Sequence, residues 1–227
     1  IILFVICASL SANAQEWVDL FNGKNLKSWE KLDGSADYRV ENGEIVGISR
    51  TGTPNTFLAT TKVFGDFILE YEMKMDRGLN SGVQFRSVAT QPDGTERVNG
   101  YQVECDDHDD RPWAGGIYEE ASRGWLYPMS CNPKAAKFNK RGEWNRIRVE
   151  AVGSTIRTFI NGVSFANLVD AGRSEGFIAL QVHGIGNNEA LDGKEIRWKN
   201  IRILTEEPEK YMKSDVELAP EVSYLEN

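Results

Sequence analysis

Apolar and polar residues alternate one for one along most of this chain. In "FILEYEMKM" (67–75), Phe67, Leu69, Tyr71 and Met73 share one parity, while Glu70, Glu72 and Lys74 share the other with Ile68. Successive side chains of a β-strand point to opposite faces, so this period of two predicts a strand with one face in a core. The pattern recurs in "SGVQFRS" (81–87), where Val83 and Phe85 oppose Gln84 and Arg86. It recurs in "YQVECDD" (101–107), where Tyr101, Val103 and Cys105 oppose Gln102, Glu104 and Asp106. "GFIALQVHG" (176–184) turns Ile178, Leu180 and Val182 inward and leaves Ala179, Gln181 and His183 outside, and "KEIRWKNIRIL" (194–204) closes the series. Asn-Gly pairs at 42–43 and 161–162, and "GS" at 153–154, predict tight hairpin turns.

No segment carries a long helical period, and residues 130–143 predict one short helical turn. Many alternating strands separated by turn signals predict an all-β fold, an antiparallel sandwich of two sheets. Internal repeats and Gly/Ser linkers are absent from the sequence, so residues 15–205 are expected to form one domain. The charged, proline-containing stretch 206–227 is expected as a tail, running over the surface or packing late as an extended segment.

Charge and composition narrow the function. The 227 residues carry a net charge of −8, which disfavours nucleic acid as a partner, because phosphate contacts need a basic surface. Residues 1–14 are an apolar run followed by small residues, with "ANA" before Gln15. This reads as a secretory signal peptide cleaved after Ala14, and predicts a periplasmic or secreted protein. The run is too short for a membrane span, and no other long apolar run follows. Cys105 and Cys131 remain after cleavage; an oxidising compartment leaves their pairing open, while the apolar parity of Cys105 favours a small core residue.

The polar faces of several strands carry groups capable of chemistry: Gln84 and Arg86, Gln102, Glu104 and Asp106, Gln181 and His183, with Arg197 and Lys199 further on. Neighbouring strands would gather them into one polar groove. The long loop 108–128 adds Trp113, Tyr118, Trp125 and Tyr127, flat rings suited to the C–H faces of sugars. Asn80 and Ser81 stand at the start of the Gln84 strand. Arg111, Glu119, Glu120 and Arg123 read as exposed or structurally ion-paired residues, and His108 as part of a solvated acidic loop whose spacing does not fit a calcium loop. His183 is the better acid/base or metal-ligand candidate of the two histidines.

In order along the chain, "DLFNGKNLKSWE" (19–30), "LNSGVQFRS" (79–87), "YQVECDD", "GGIYEE" (115–120), "GEWNRIRVEAVGSTIRTFINGV" (142–163), "GFIALQVHG" and "IRWKNIRI" (196–203) resemble the 3-keto-disaccharide hydrolase family, also described as 3-keto-glucoside lyase/hydratase. The resemblance implies a concanavalin A-like jelly roll with its site on the concave sheet. It also implies cleavage of 3-keto-glycosides by elimination and hydration. Under it, Glu104 is the base or a metal ligand, with Asp106 and His183 as partners. Arg86 and Lys199 would stabilise an enolate oxygen, and Gln84, Gln102 and Gln181 would orient hydroxyls beside the four aromatic rings. A divalent metal held by Glu104, Asp106 and His183 is the alternative to the cationic side chains. The same strand is similar to the "E-x-D-x-E" strand of jelly-roll glucanases, but His108 stands at the third acid, which disfavours a two-carboxylate retaining mechanism. The implied partners are an oligosaccharide or glycoside substrate and an upstream oxidoreductase that makes the 3-keto sugar, since this sequence has no dinucleotide fingerprint. The rival reading is a non-catalytic sugar-binding module.

The reading of residues 1–14 has a direct consequence. Intact-mass or N-terminal sequencing of the exported protein is expected to place its first residue at Gln15, and retention of residues 1–14 would contradict it.

Overall fold

The computed structural model describes residues 17–90, 94 and 96–225; the segment read as a signal peptide lies outside them. The period-two segments are strands. Phe67, Leu69, Tyr71 and Met73 are buried in the core, and Glu70, Glu72 and Lys74 between them are half-buried on the opposite face. Asn161 and Gly162 take positive φ of 52° and 86°, and Asn42 and Gly43 of 53° and 78°. That is the turn geometry whose twist matches a two-residue hairpin.

Among the described residues sixteen strands, β1 to β16 in chain order, build two sheets. The first runs β16 (Glu221–Ser223), β13 (Val163–Val169), β12 (Thr155–Ile160), β11 (Asn145–Val152), β6 (Phe67–Met75), β15 (Glu195–Leu204), β4 (Glu44–Ile48) and β3 (Asp37–Glu41), with β1 (Val18–Asp19) also on β15. The second runs β10 (Gly124–Tyr127), β9 (Ile117–Glu120), β8 (Glu96–Asp106), β7 (Asn80–Thr90), β14 (Phe177–Val182), β5 (Thr56–Thr60) and β2 (Trp29–Asp33). Neighbours are antiparallel except β13 and β16, which run parallel. The fold is therefore the all-β jelly-roll sandwich. Val83, Phe85, Val103, Cys105, Leu180 and Val182 all enter the shared core, as their parity predicts. Phe67 of one sheet meets Phe85 of the other edge-on at 6.2 Å between ring centroids. Each such buried large side chain stabilises the fold by roughly 1.5–3 kcal/mol. The 130–143 region holds short 3-10 turns, and among the described residues no helix is long and apolar enough to cross a membrane.

One irregularity shapes the face away from the core. Between Gln84 and Ser87, β7 carries one more residue than both of its neighbours, because Phe177 pairs Ser87 and Ala179 pairs Gln84, while Phe85 pairs Tyr101 and Val88 pairs Asn99. Such a bulge bends its strand. Arg86 sits in it at φ 47°. Instead of facing a groove, its fully buried guanidinium donates to the carbonyls of Gly65 (3.0 Å) and Gly153 (2.8 Å) and to Asp66 Oδ1 (2.8 Å). The β14 backbone lies so close here that a Cβ on Gly176 would collide with Arg86 and Ser87 main-chain atoms. Beyond the bulge the β7–β8 hairpin leans over the sheet. Val98 and Ala89 join Phe57, Ala59, Phe177, Ala179 and Leu32 in a second small apolar cluster. Val98 N reaches Asp33 Oδ2 at 3.0 Å, although β8 and β2 are not neighbours in the sheet. The hairpin thus roofs one part of the face and leaves the rest as a groove.

Residues 206–225 are docked. Arg148 donates to the Tyr211 carbonyl at 2.5 Å, Lys213 N to Glu150 Oε1 at 2.9 Å, and β16 adds to the edge of β13.

If Arg86 clamps the bulge, Arg86→Met orphans buried carbonyls and is expected to lower unfolding stability by about 3 kcal/mol, read as a fall in the urea midpoint. A midpoint equal to that of the wild type would refute the clamp.

Candidate functional site

The site begins with the outward residues of β8. Glu104 and Gln102 project onto the groove floor from alternate positions, and Asn80 opens β7 opposite Asp106. The Gln102 side chain lies flat over Gly82, where any Cβ would collide with it. This lets Gln102 Nε2 donate to Glu104 Oε2 at 2.9 Å, while Gln84 Nε2 donates to Gln102 Oε1 at 2.8 Å. Asn80 Nδ2 donates to Glu104 Oε1 and, at 3.0 Å, to Asp106 Oδ2, so one amide bridges the two carboxylates. Glu104 is 5% exposed and has no ion-pair partner among the described residues. Burial lifts its carboxyl to about 7; the Asn80 and Gln102 amides pull against the lift, and the charges of Asp106 and Glu120 add to it.

Behind Glu104 the buried Asp106 organises the next turn. Its Oδ1 accepts from the His108 backbone N–H at 2.9 Å, and both of its oxygens lie 3.1 Å from His108 Nδ1. Arg111 stands 4.0 Å away. His108 and Arg111 both line the groove.

The groove has a volume of about 690 Å³, within the range of small-ligand sites. One wall is aromatic: Trp113 and Tyr118 each meet Trp125 edge-on, with centroids 5.6 and 5.4 Å apart. Arg111 stacks on Trp113 at 4.9 Å. The other wall is formed by the turn after β14, with exposed His183 and Asn188 and half-buried Ile185 and Leu191. His183 Nδ1 lies 2.8 Å from the Gly184 carbonyl. At a third side the buried Glu120 takes Arg97 Nη2 at 3.3 Å, and both line the groove.

Of the residues expected at the site, the structure brings Glu104, Gln102, His183, Trp113, Tyr118 and Trp125 to this groove, with Asp106 directly beneath it. Others lie elsewhere. Arg86 is held in the bulge described above. Lys199 belongs to the other sheet, on its outer face, 3.8 Å from Glu72 and 4.0 Å over the Trp144 ring. Tyr127 is fully buried, because an extra residue between Trp125 and Tyr127 breaks the parity of β10 and its hydroxyl donates to the Pro220 carbonyl. Gln84 is consumed by Gln102 and the Ser87 hydroxyl. Gln181 is buried, and its amide has no partner among the described residues. Among the described residues no three His, Cys, Asp or Glu side chains gather as a metal ion requires, so Glu104, Asp106 and His183 do not form the expected metal set. Cys105 and Cys131 are free thiols.

The groove residues not expected there include His108, Arg111, Glu120 and Arg97, with Asn55 and Asn188. Alternation in "IYEE" carries the signal for Glu120, since Ile117 and Glu119 point inward and Tyr118 shares the outward parity of Glu120. Glu119 and Arg123 do form structural ion pairs, with Arg173 and Asp170. For His108 the signal is an Asp two residues earlier, the spacing at which an Asp side chain caps the following turn.

Residues 16–204 match the family model of the 3-keto-alpha-glucoside-1,2-lyase-like domain. No curated protein matches the sequence. Among solved structures, a candidate glycosyl hydrolase from Parabacteroides distasonis aligns at 20% identity with TM-score 0.56, over 83% of this chain and 93% of that one. The carbohydrate-binding module CBM66 from Bacillus subtilis aligns at 15% identity with TM-score 0.53, over 79% and 97%. A Bacillus subtilis protein of unknown function with a galectin-like fold aligns at 10% identity with TM-score 0.60, over 84% and 94%. These likenesses establish the shared fold.

The environment of Glu104 fixes the sign of a pH effect. Its carboxyl is raised from 4.5 to about 7, so the folded state holds the proton more tightly than the unfolded chain. That contribution is fully present below about pH 4.5 and is lost as pH rises through about 7, a change of about 3 kcal/mol. Urea unfolding at pH 5 and pH 8 is expected to show this extra loss in the wild type and not in Glu104→Gln. Parallel pH dependences in the two proteins would contradict it.

Proposed function

The chain belongs to the 3-keto-alpha-glucoside-1,2-lyase-like family, a carbohydrate-related one, and we propose that its groove cleaves the glycosidic bond of 3-keto-glucosides and 3-keto-disaccharides by elimination followed by hydration. The observation that carries this reading is Glu104, a buried carboxyl raised to about 7 at the floor of a polar groove with an aromatic wall. A ketone at C3 acidifies the hydrogen at C2. A base poised near neutrality suits its removal, because the best catalytic pKa lies close to the working pH. Glu104 takes the C2 proton, and the electron pair moves into an enolate on the C3 oxygen. Collapse of the enolate forms the C1–C2 double bond as the C1–O bond breaks. Water then adds back across C1 and C2.

The groove supplies the other requirements. Arg111 and Arg97 take the place expected of Arg86 and Lys199 as cations for the enolate oxygen. Gln102, Asn80 and Asn188 offer amides to hydroxyls, and Trp113, Trp125 and Tyr118 offer flat faces to the sugar ring. Export, as read from residues 1–14, puts the reaction in the periplasm or outside the cell, on sugar already oxidised at C3 by a partner oxidoreductase. A sugar-binding module would share the fold and also use carboxylates as hydroxyl acceptors, but hydroxyl recognition does not call for a carboxyl raised toward neutrality.

The test is to follow aglycone release from a 3-keto-glucoside and from its parent glucoside. The keto sugar alone is expected to react, with kcat/KM rising with pH through about 7 as Glu104 loses its proton. Glu104→Gln is expected to lower turnover by roughly 10²–10⁴-fold and to remove that limb. Unchanged turnover in Glu104→Gln, or cleavage of the parent glucoside at an equal rate, would refute the mechanism.

A further inference from the structure

Elimination leaves one task that Glu104 does not perform: the oxygen departing from C1 needs a proton. Resting on the elimination reading, we propose that His108, held by the buried Asp106, is the general acid that protonates the leaving oxygen, and the base that activates water when the double bond is hydrated.

The geometry distinguishes His108 from the other histidine on the groove. Asp106 is fully buried and aims both carboxylate oxygens at His108 Nδ1, at 3.1 Å each, while its Oδ1 also takes the backbone N–H of His108 at 2.9 Å. A carboxylate in that position orients the ring and fixes a proton on Nδ1. With Nδ1 engaged, Nε2 is the ring nitrogen left for the groove that His108 lines. His183 also lines the groove, but its Nδ1 faces only the neutral carbonyl of Gly184, and the ring is exposed. Among the described residues no carboxylate orients its ring. Asn80 ties the pair to the base, since its one amide nitrogen donates to Glu104 Oε1 and Asp106 Oδ2. The acid and the base are therefore positioned from one strand end by one side chain, and Asp106 is a positioning residue.

The protons balance. In the elimination Glu104 takes the C2 proton, the C1–O bond breaks, and the His108 Nε2 proton passes to the departing oxygen, which leaves as an alcohol. Glu104 is now protonated and His108 neutral. In the hydration neutral His108 takes a proton from water as its oxygen bonds to C1, and Glu104 returns its proton to C2. The net reaction is hydrolysis, and both groups end in their starting states.

A general acid matters most when the leaving group is poor. The experiment compares methyl 3-keto-glucoside, whose alkoxide needs a proton, with 4-nitrophenyl 3-keto-glucoside, whose phenolate does not. His108→Ala is expected to lose roughly 10²–10³-fold in kcat/KM on the methyl substrate and less than about 10-fold on the nitrophenyl substrate. Asp106→Asn is expected to show the same leaving-group dependence in smaller degree, and Glu104→Gln to lose alike on both. His108→Gln, which keeps a polar side chain of similar reach, covers the case in which the alanine variant does not fold, and near-UV circular dichroism checks both. Equal losses on the two substrates in His108 variants, or a leaving-group dependence that appears in His183→Ala instead, would overturn the assignment alone. A wild type that releases neither aglycone would overturn the elimination reading and this assignment with it.

Discussion

The single extra residue in β7 is the constraint from which the site follows. Without it, β7, β8 and β14 would continue in register as a plain curved sheet, and the outward face would be open along its whole length. With it, the β7–β8 hairpin turns over the face and seals Phe57, Ala59 and Ala179 under Val98 and Ala89. A bulge alone does not fix the direction of a bend. Here the direction is set by Arg86, whose guanidinium reaches the Gly65 and Gly153 carbonyls and Asp66. These lie at the start of β6 and at the β11–β12 turn, both in the opposite sheet. The bend is thereby tied across the sandwich rather than within one sheet. The open part that remains is the stretch where β8 presents Gln102 and Glu104.

The same roofing accounts for the electrostatics. Glu104 is desolvated by the floor and walls of the groove, yet it meets amides and no cation, so its carboxyl rises toward neutrality instead of falling. Asp170 shows the contrast within the same molecule. It is also buried, but Arg123 donates to both of its oxygens at 2.8 and 2.9 Å, and its carboxyl is held down at about 2. Burial is common to both; the partner decides the sign. Two arginine–carboxylate pairs, Arg97–Glu120 and Arg111–Asp106, flank the groove, yet among the described residues Glu104 has no such pair.

The sequence made the fold and the floor of the site legible because both are carried by a period of two. Every residue assigned to the core from β7, β8 and β14 is there, and Glu104, Gln102 and His183 reach the groove. Parity fails where a strand stops counting by two. The extra residue beside Arg86 and the one before Tyr127 each reverse the expected side, and neither bulge is marked by a residue type that local pattern singles out. Lys199 failed for a different reason. Its parity is correct, but alternation does not say which sheet a strand joins, and β15 pairs with β6 and β4 in the other one. His108 was missed because a loop has no period. Its position is set by a side chain two residues earlier, a local hydrogen bond rather than a repeat.

The division between framework and site also bears on binding against catalysis, since the jelly roll serves sugar-binding modules and hydrolases alike. A lectin-like groove needs donors and acceptors matched to hydroxyls, and neutral amides provide both without a penalty for burying charge. Glu104 in place of a third amide lowers folding stability by about 3 kcal/mol above neutral pH. That is a large fraction of the 5–15 kcal/mol typical of a domain. Three of its neighbours would have removed the penalty if any had been a buried cation, yet Asn80 and Gln102 are neutral and Asp106 adds to the repulsion. Arg111, which lines the same groove, stops 4.0 Å from Asp106 and stacks on Trp113. An arrangement that keeps a carboxylate dry, unpaired and facing open space stores free energy that is released only when something gives it a proton. A base of that kind suits the removal of a C2–H activated by a neighbouring ketone, which the proposed elimination requires.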